Sequence, residues 1–449
     1  MVRSGFSRAL LALAVPAVLV LPACAPGGGT PADKGTGTGV VTDPAAMGNV
    51  TLTLVDFWQD AEGDWMDKSV AAFEAKYPNL KVQRTVQEWT QIMDTLPLRL
   101  SDDSSPDVVT ANNGWQSIGT LAKGGLIVNL DPYATAYGWD TFLPSTIKRQ
   151  LTFTTDGKTM GSGALWAAPS ARVQTIGIYY DKKLLEQAGV AAPTTLEEFE
   201  SALATLKSAG ITPIAYGGTD KPTTALFALW DVLGDRDAIA DATYGTSDVQ
   251  VGPSGLLPAA QLLKKWGDAG YLTANYDGLA IADANAKFLA GDGAFDFYYS
   301  GLVPTDQANR SDFGYLQLVQ AKGGKMVATG APADNLVISA RSKHKDAAAL
   351  LLDFLMSEQA AQITADAGYM PLLHDATIPQ DDPLIVQEAG AAQATEADNG
   401  YVPYFDWSTP TMLDTLGSQA QVLLAGRATP QDLVDAVQAD LEAFRATQQ

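Results

Sequence analysis

Thiols and imidazoles are nearly missing from this 449-residue chain, whose full complement is Cys24, His344 and His374. A lone cysteine builds no disulfide framework. Two histidines and one thiol make zinc, iron or copper centres improbable, and Ser-His or Cys-His catalysis equally so. Phosphate-loop spacing is missing as well, since Gly323-Gly324-Lys325-Met326 lacks both the spacing and the hydroxyl. There is no Gly-x-Ser-x-Gly elbow and no EF-hand loop. Basic residues are few, 29 against 51 acidic ones, for a net charge of −22. Such a surface argues against nucleic acid and against anionic lipid headgroups as partners. Long apolar runs are also lacking. The longest, Ala9 to Leu21, has about 13 residues, where a bilayer span needs roughly 20.

That short run follows Arg3 and Arg8 and ends in Leu21-Pro22-Ala23-Cys24. A charged start, a short apolar middle and a small residue before the cut describe a secretory signal peptide over 1–23. The last four residues resemble the lipobox of bacterial lipoproteins. The resemblance implies lipidation of Cys24, removal of the peptide before it, and a mature chain of net charge −24, since residues 1–23 hold two arginines and no acid. The alternative is an ordinary signal peptide with a chance cysteine. Ala25 to Asn49, rich in Gly, Pro, Thr and Ala, has no apolar periodicity and reads as a flexible spacer. Together 24–49 form a lipidated cysteine and linker, holding the body outside the cytoplasmic membrane.

The remaining 400 residues exceed one compact core, so two domains are expected. Val50 to Phe57 alternates as a strand, and Met66, Val70, Phe73 and Tyr77 form a helical stripe stopped at Pro78-Asn79. Leu80–Val86 and Asp107–Thr110 read as further strands, with helices near 90–100 and 115–123. A second series has strands at 176–180, 211–216 and 294–298. Its helices lie at 181–188, near 256–266 and near 282–289, with another opened by a Thr195/Glu198 capping box. Thr429-Pro430 starts a last helix with the stripe Leu433, Val437, Leu441 and Phe444. Strand–helix alternation of this kind predicts α/β layers with helices on a largely parallel sheet.

Several strings in this order resemble the extracellular sugar-binding proteins of ABC importers, the maltose-binding type. They include Phe73-Glu74-Ala75-Lys76-Tyr77-Pro78, Pro106-Asp107-Val108-Val109, and Leu121-Ala122-Lys123-Gly124-Gly125-Leu126. Tyr179-Tyr180-Asp181-Lys182-Lys183-Leu184-Leu185, Pro193-Thr194-Thr195-Leu196-Glu197-Glu198-Phe199 and Gly368-Tyr369-Met370-Pro371 follow at the expected intervals. The resemblance implies a two-lobe periplasmic-binding-protein-like (type II) α/β fold with an interlobe cleft and a multi-segment hinge. Lobe one would take 50–165 and 306–360, lobe two 166–305 and 361–449. Relatives often stack a sugar on a tryptophan after the Ala-Phe strand; here Phe297-Tyr298-Tyr299-Ser300-Gly301 offers tyrosines instead.

Ligands of open α/β sheets sit beyond the carboxyl ends of strands. That rule selects Trp58, Gln59, Asp60 and Glu62 after the first strand, and Asn112 and Asn113 after the third. A flat apolar ring beside polar edges suits a carbohydrate. The alternative readings are core packing for Trp58, against which the cleft is favoured, a helix cap for Asp60 or Asp64, and turn positions for the asparagines. From the second series come Trp230, Asp296, Tyr298 and Tyr299. Asp334 and Asn335 precede a strand where relatives place a contact, and Trp407 lies in the cluster Tyr404-Phe405-Asp406-Trp407, which packing also explains. No catalytic residue, metal ligand or cofactor is expected.

The expected role is a lipid-anchored, monomeric receptor that captures a mono- or oligosaccharide and passes it to ABC permease subunits. Membrane contact would be through the lipid alone, and nucleic acid plays no part. Alternatives within the binding class are a polyamine or other polar solute, and a surface sensor. A secreted glycosidase needs two carboxylates about 5–10 Å apart; with 51 acids, such pairs arise by chance.

Overall fold

A computed structural model describes residues 39–220, 222–245, 250–332, 335–371 and 376–448. Cys24 and Asp334 lie outside the described residues. The strands in chain order are β1 (Val50–Asp56), β2 (Leu80–Val86), β3 (Val108–Ala111), β4 (Thr152–Phe153), β5 (Ala164–Leu165), β6 (Ala168–Pro169) and β7 (Val173–Asp181). They continue with β8 (Ile214–Ala215), β9 (Phe295–Tyr299), β10 (Phe313–Leu316), β11 (Ala328–Pro332), β12 (Asn335–Ile338) and β13 (Tyr401–Val402).

One sheet has the order β2-β1-β3-β12-β6, the other β13-β11-β7-β9-β8 with β10 also on β7, and β4 and β5 form a small hairpin. In the first sheet β1 runs parallel to both β2 and β3, as the alternating strand–helix pattern predicts. The helix Asp60–Lys76 contacts β2, while Lys345–Leu355 contacts β1 and β12. Residues 347–352 of the latter are all buried, so this helix is covered nearly all round. In the second sheet the helix Thr224–Leu233 lies against β7, β9 and β11, and Pro383–Ala397 against β10. The Thr195/Glu198 capping box is present, as is one at Thr429/Asp432. Asp64 does not cap a helix. The helix begins at Asp60, its N-cap Gln59 makes no side-chain capping bond, and Asp64 is an exposed residue within it.

Sheet membership departs from the lobe bounds implied by the resemblance. Residues 306–360 were expected in the first lobe. Yet β10 and β11 both pair antiparallel with β7, and the chain rejoins the first sheet only at Asn335. Conversely, the helix Glu358–Asp366, whose second half falls in the range expected for lobe two, packs on Asp60–Lys76. There Trp65 Nε1 donates to Thr364 Oγ1 at 2.8 Å.

Arg84 on β2 fixes the turn that leaves β1. Its Nε and Nη2 each lie 2.7 Å from the buried Asp56 carboxylate, and its other donors reach the carbonyls of Trp58 and Gly63 and the carboxylate of Asp67. A buried carboxylate without its guanidinium is costly. Arg84→Met is therefore expected to cost about 3–5 kcal/mol, measured as a lower urea midpoint with an unchanged slope. A midpoint within error of the parent would show that Asp56 has another neutralising partner.

Asp231, Asp296 and Glu388 are among the acids buried on or against the second sheet. Asp231 accepts from Thr329 N and Oγ1 at 2.6 and 2.9 Å, Asp296 from the Asn285 amide at 3.0 Å, and Glu388 from the Tyr179 hydroxyl. Burial pushes Asp231 and Glu388 up to about 7 and Asp296 up to about 8. Each stays protonated in the fold while the unfolded chain ionises above roughly 4. Their contribution to stability is thus complete at acid pH, declines as pH rises through these values, and levels off beyond. Asp296→Asn should gain on the parent in melting temperature as pH goes from about 4.5 to about 8. An equal difference at both ends would mean that Asp296 is already charged in the fold.

Candidate functional site

The carboxyl ends of β1, β3 and β9 converge where the chain passes between sheets. Asn335 pairs with both Ala111 and Pro169, and Pro332 pairs with Val173. The ends of the two connections therefore lie side by side, Pro169 with Asn335 and Val173 with Pro332. A third segment joins them, since Arg172 forms an antiparallel bridge with Pro371. The backbone alone thus places Trp58, Asn112, Asn113, Asn335 and Tyr299 around one junction.

Arg172 stands at its centre, with a side chain only 3% exposed. Its Nη1 lies 2.6 Å from Glu62 Oε1, and its guanidinium faces the rings of Tyr369 at 4.5 Å and Trp65 at 5.3 Å. Trp65 meets Trp58 edge-on at 5.2 Å. Trp58 is fully enclosed and its Nε1 has no partner among the described residues. Here the packing alternative describes its side chain, which lies behind Trp65.

The second sheet contributes the Tyr298–Tyr299 corner. Burial raises the Tyr298 hydroxyl, with Asp296 and then Glu62 adding to the effect, while its bond to Asn285 opposes it. Glu62 from the first sheet's helix is therefore in electrostatic reach of Tyr298. Ring contacts continue from Tyr298 to Tyr299 at 5.0 Å, Tyr404 at 6.2 Å and Trp407 at 5.0 Å. Trp407 then closes on the first sheet at Gly114. A β-carbon at Gly114 would come within 2.2 Å of the Trp407 β-carbon, and φ is +62°, so glycine is required there. Beside it Gln116 Nε2 donates to the Asp406 carbonyl at 3.2 Å, and Gln116 Oε1 accepts from Asn112 Nδ2. Asn113 Oδ1 accepts from Asn335 Nδ2, leaving Asn113 Nδ2 and Asn335 Oδ1 without a partner among the described residues.

The junction thus gathers Trp58, Glu62, Asn112, Asn113, Tyr298, Tyr299, Asn335 and Trp407. Gln59 and Asp60 lie on its exposed rim, Gln59 bonded to Glu88 at 2.9 Å. Asp60 adopts φ +48°, a conformation aspartate tolerates better than most residues. Asp296 sits just beneath the corner. Trp230 is elsewhere: its indole is core, 4.7 Å from the Phe405 ring and donating to Ser254. Its length of helix, not its distance from a strand end, decides that position. Arg172, Tyr369 and Asn285 were not anticipated. An arginine in the crossing segment of an acidic chain was the available signal for the first.

Chemically, the junction offers aromatic faces, amides and one neutralised ion pair. Among the described residues no group of three His, Cys, Asp or Glu side chains is placed to hold a metal. No described helix is long and apolar enough to cross a membrane. A polar recess of about 670 Å³ lies at the opposite, amino end of β1, lined by Met47, Val50, Tyr133, Lys343 and His344 among others.

Comparison with known proteins follows this geometry. The chain is 25% identical over 337 residues to an uncharacterized ABC transporter extracellular-binding protein of Pyrococcus horikoshii, covering 72% of each chain. It is 25% identical over 214 residues to the melibiose/raffinose/stachyose-binding protein MelE of Bacillus subtilis, covering 47% of this chain and 43% of that one. A solved chitin oligosaccharide binding protein superposes with a TM-score of 0.74 at 24% identity, covering 89% of this chain and 99% of that one. It shares the two-lobe arrangement, with β1–β3, β6 and β12 in one sheet and β7–β11 and β13 in the other. Residues 58–362 match the family of bacterial extracellular solute-binding proteins, and to that family this chain belongs.

Proposed function

We propose that this protein captures a carbohydrate at the junction between its sheets and delivers it to an ABC importer. The observation that carries this reading is the set of Tyr369, Tyr298, Tyr299, Tyr404 and Trp407 rings gathered with Asn112, Asn113, Asn335 and Glu62. Ring faces cover the apolar C–H surface of a sugar, and amides and carboxylates pair its hydroxyls. Relatives named for melibiose, raffinose and stachyose or for chitin oligosaccharides support the same class. The two sheets serve as lobes, lobe one built on β1–β3, β6 and β12. The mechanism is physical: the ligand bridges both lobes, stabilises the closed form by contacts present only there, and leaves unchanged. Cys24 carries the lipid, and the spacer lets a monomeric body meet permease subunits. A sensor passing on occupancy would use the same site, and the presence of permease genes beside this one separates the two roles.

The ion pair argues for a neutral ligand over a polyamine. Glu62 is already bound to Arg172, and burial keeps Asp296 protonated up to about 8. Calorimetry against raffinose, maltotriose, chitotriose, xylotriose, galactose and spermidine should yield saturable binding to a sugar with no hydrolysis product. Tyr298→Ala should weaken that binding by about tenfold, the loss of roughly one aromatic contact. Trp58→Phe, which keeps the packing, should weaken it less. Parental affinity in both, or spermidine as the tightest ligand, would remove the assignment.

The anchor has its own test. Palmitate label is expected on the parent in its native host, and Cys24→Ser should move the protein from the membrane fraction to the medium. Retention of the unlabelled variant in the membrane would refute lipidation at Cys24.

A further inference from the structure

We propose that Glu388 and Tyr179, buried behind the junction, are positioning residues that hold the Tyr298–Leu302 corner in shape, and that ionisation of Glu388 loosens it. The inference rests on the reading of that junction as the ligand site. Tyr179, in the middle of β7, is fully buried. Its hydroxyl oxygen accepts from Gly301 N at 2.7 Å and Leu302 N at 3.2 Å, and its proton goes to Glu388 Oε1. One phenol therefore satisfies two backbone donors at the turn immediately after Tyr298, Tyr299 and Ser300. On its other side Gly301, at φ +92°, leaves room for Tyr369, whose ring a β-carbon would approach to 3.2 Å. Tyr369 in turn covers Arg172 and its ion pair with Glu62. A continuous chain of contacts thus leads from Glu388 to the centre of the junction.

The surroundings of Glu388 make its charge state matter. It is 3% exposed, and Oε2 has no partner among the described residues. The titratable groups facing it are Tyr179 from β7, Tyr315 from β10, Arg310 ahead of β10, and Asp382 at the start of its own helix. Arg310 is engaged elsewhere, 2.8 Å from Asp382 and bonded to the Val303 carbonyl. With Glu388 neutral, Arg310 stays on these two partners. An ionised Glu388 leaves a buried charge on an unpartnered Oε2, and bringing water or Arg310 Nη2, itself without a hydrogen bond among the described residues, to that oxygen opens the packing behind the turn. Burial sets Glu388 at about 7, with Tyr179, Gly301 and Arg310 pulling the other way, so the change falls in an ordinary range of pH.

Amide exchange by mass spectrometry on the ligand-free full chain tests the latch directly. Protection of the 299–304 segment should fall about tenfold between roughly pH 6 and 8, after correction for intrinsic rates. Glu388→Gln, fixed in the uncharged form, should hold its protection across that range. Tyr179→Phe should lower it at both ends. Raffinose affinity measured in parallel should follow the same profile in the parent and flatten in Glu388→Gln. An identical pH profile in Glu388→Gln, or unchanged protection in Tyr179→Phe, overturns the proposal. So does a protection profile that raffinose affinity ignores. If the exchange pattern holds while no sugar of the panel binds at any pH, the latch stands and the carbohydrate reading of the junction falls.

Discussion

A buried guanidinium organises the junction. Arg172 has almost no exposure to water, so its charge demands a partner within the protein, and Glu62 supplies it at 2.6 Å. The rings of Trp65 and Tyr369 line its faces, where their negative π-surfaces favour a cation. Each partner comes from a different part of the chain: Glu62 and Trp65 from the helix after β1, Tyr369 from the third crossing segment, Arg172 from the first. One side chain therefore fastens a lobe to the connections that leave it. Glu62 is 35% exposed, so the fastening is dry on one side and wet on the other. A joint of this kind resists separation less than an apolar core of equal size, because water can replace part of what is lost.

Local features were legible from the sequence because their causes are local. The parallel β1–β2 pair, both capping boxes and the final helix with its buried Leu433, Val437 and Leu441 all follow from periodicity and cap chemistry within a few residues. Sheet membership after residue 300 was not legible, because nothing near Phe313 or Ala328 states that its partner is β7, over a hundred residues earlier. The resemblance gave two lobes and a crossing but misplaced the point of return. The same limit governed the aromatic residues. Trp58 leaves the first strand and Trp230 follows the 211–216 strand across a polar loop, yet Trp230 faces Phe405 in the core and Trp58 lies behind Trp65. Which ring meets solvent depends on what packs over it, and that comes from distant segments.

The chemistry of the junction favours an uncharged polar ligand. Its acids are committed: Glu62 to Arg172, Glu388 to Tyr179, and Asp296 to protonation under burial. Among the described residues, the groups with unmet capacity include amides and an indole, at Asn113, Asn335 and Trp58, beside the Glu388 Oε2 behind them. Amide and indole groups discriminate hydroxyl geometry rather than charge. The strongly acidic surface, with 51 acids against 29 basic residues, therefore concerns solubility and encounter more than recognition.

The two sheets also differ in how they treat buried acids. In the first, Asp56 receives a two-pronged guanidinium, and Asp107 accepts from Thr53 N, Thr53 Oγ1 and Ser342 Oγ at 2.9, 3.0 and 2.6 Å. Each carboxylate there has three donors, Asp56 gaining the Trp58 amide as its third. In the second, Asp231, Asp296 and Glu388 have fewer donors than lone pairs and no ion pair, so burial dominates and each is held neutral to about 7 or 8. The lobe that carries the tyrosine corner is accordingly the one whose internal electrostatics shift near neutral pH. In its counterpart burial raises Asp56 too, with the Arg84 guanidinium opposing it. On the proposed reading of the junction, ambient pH therefore acts on its tyrosine wall through Glu388 and Asp296.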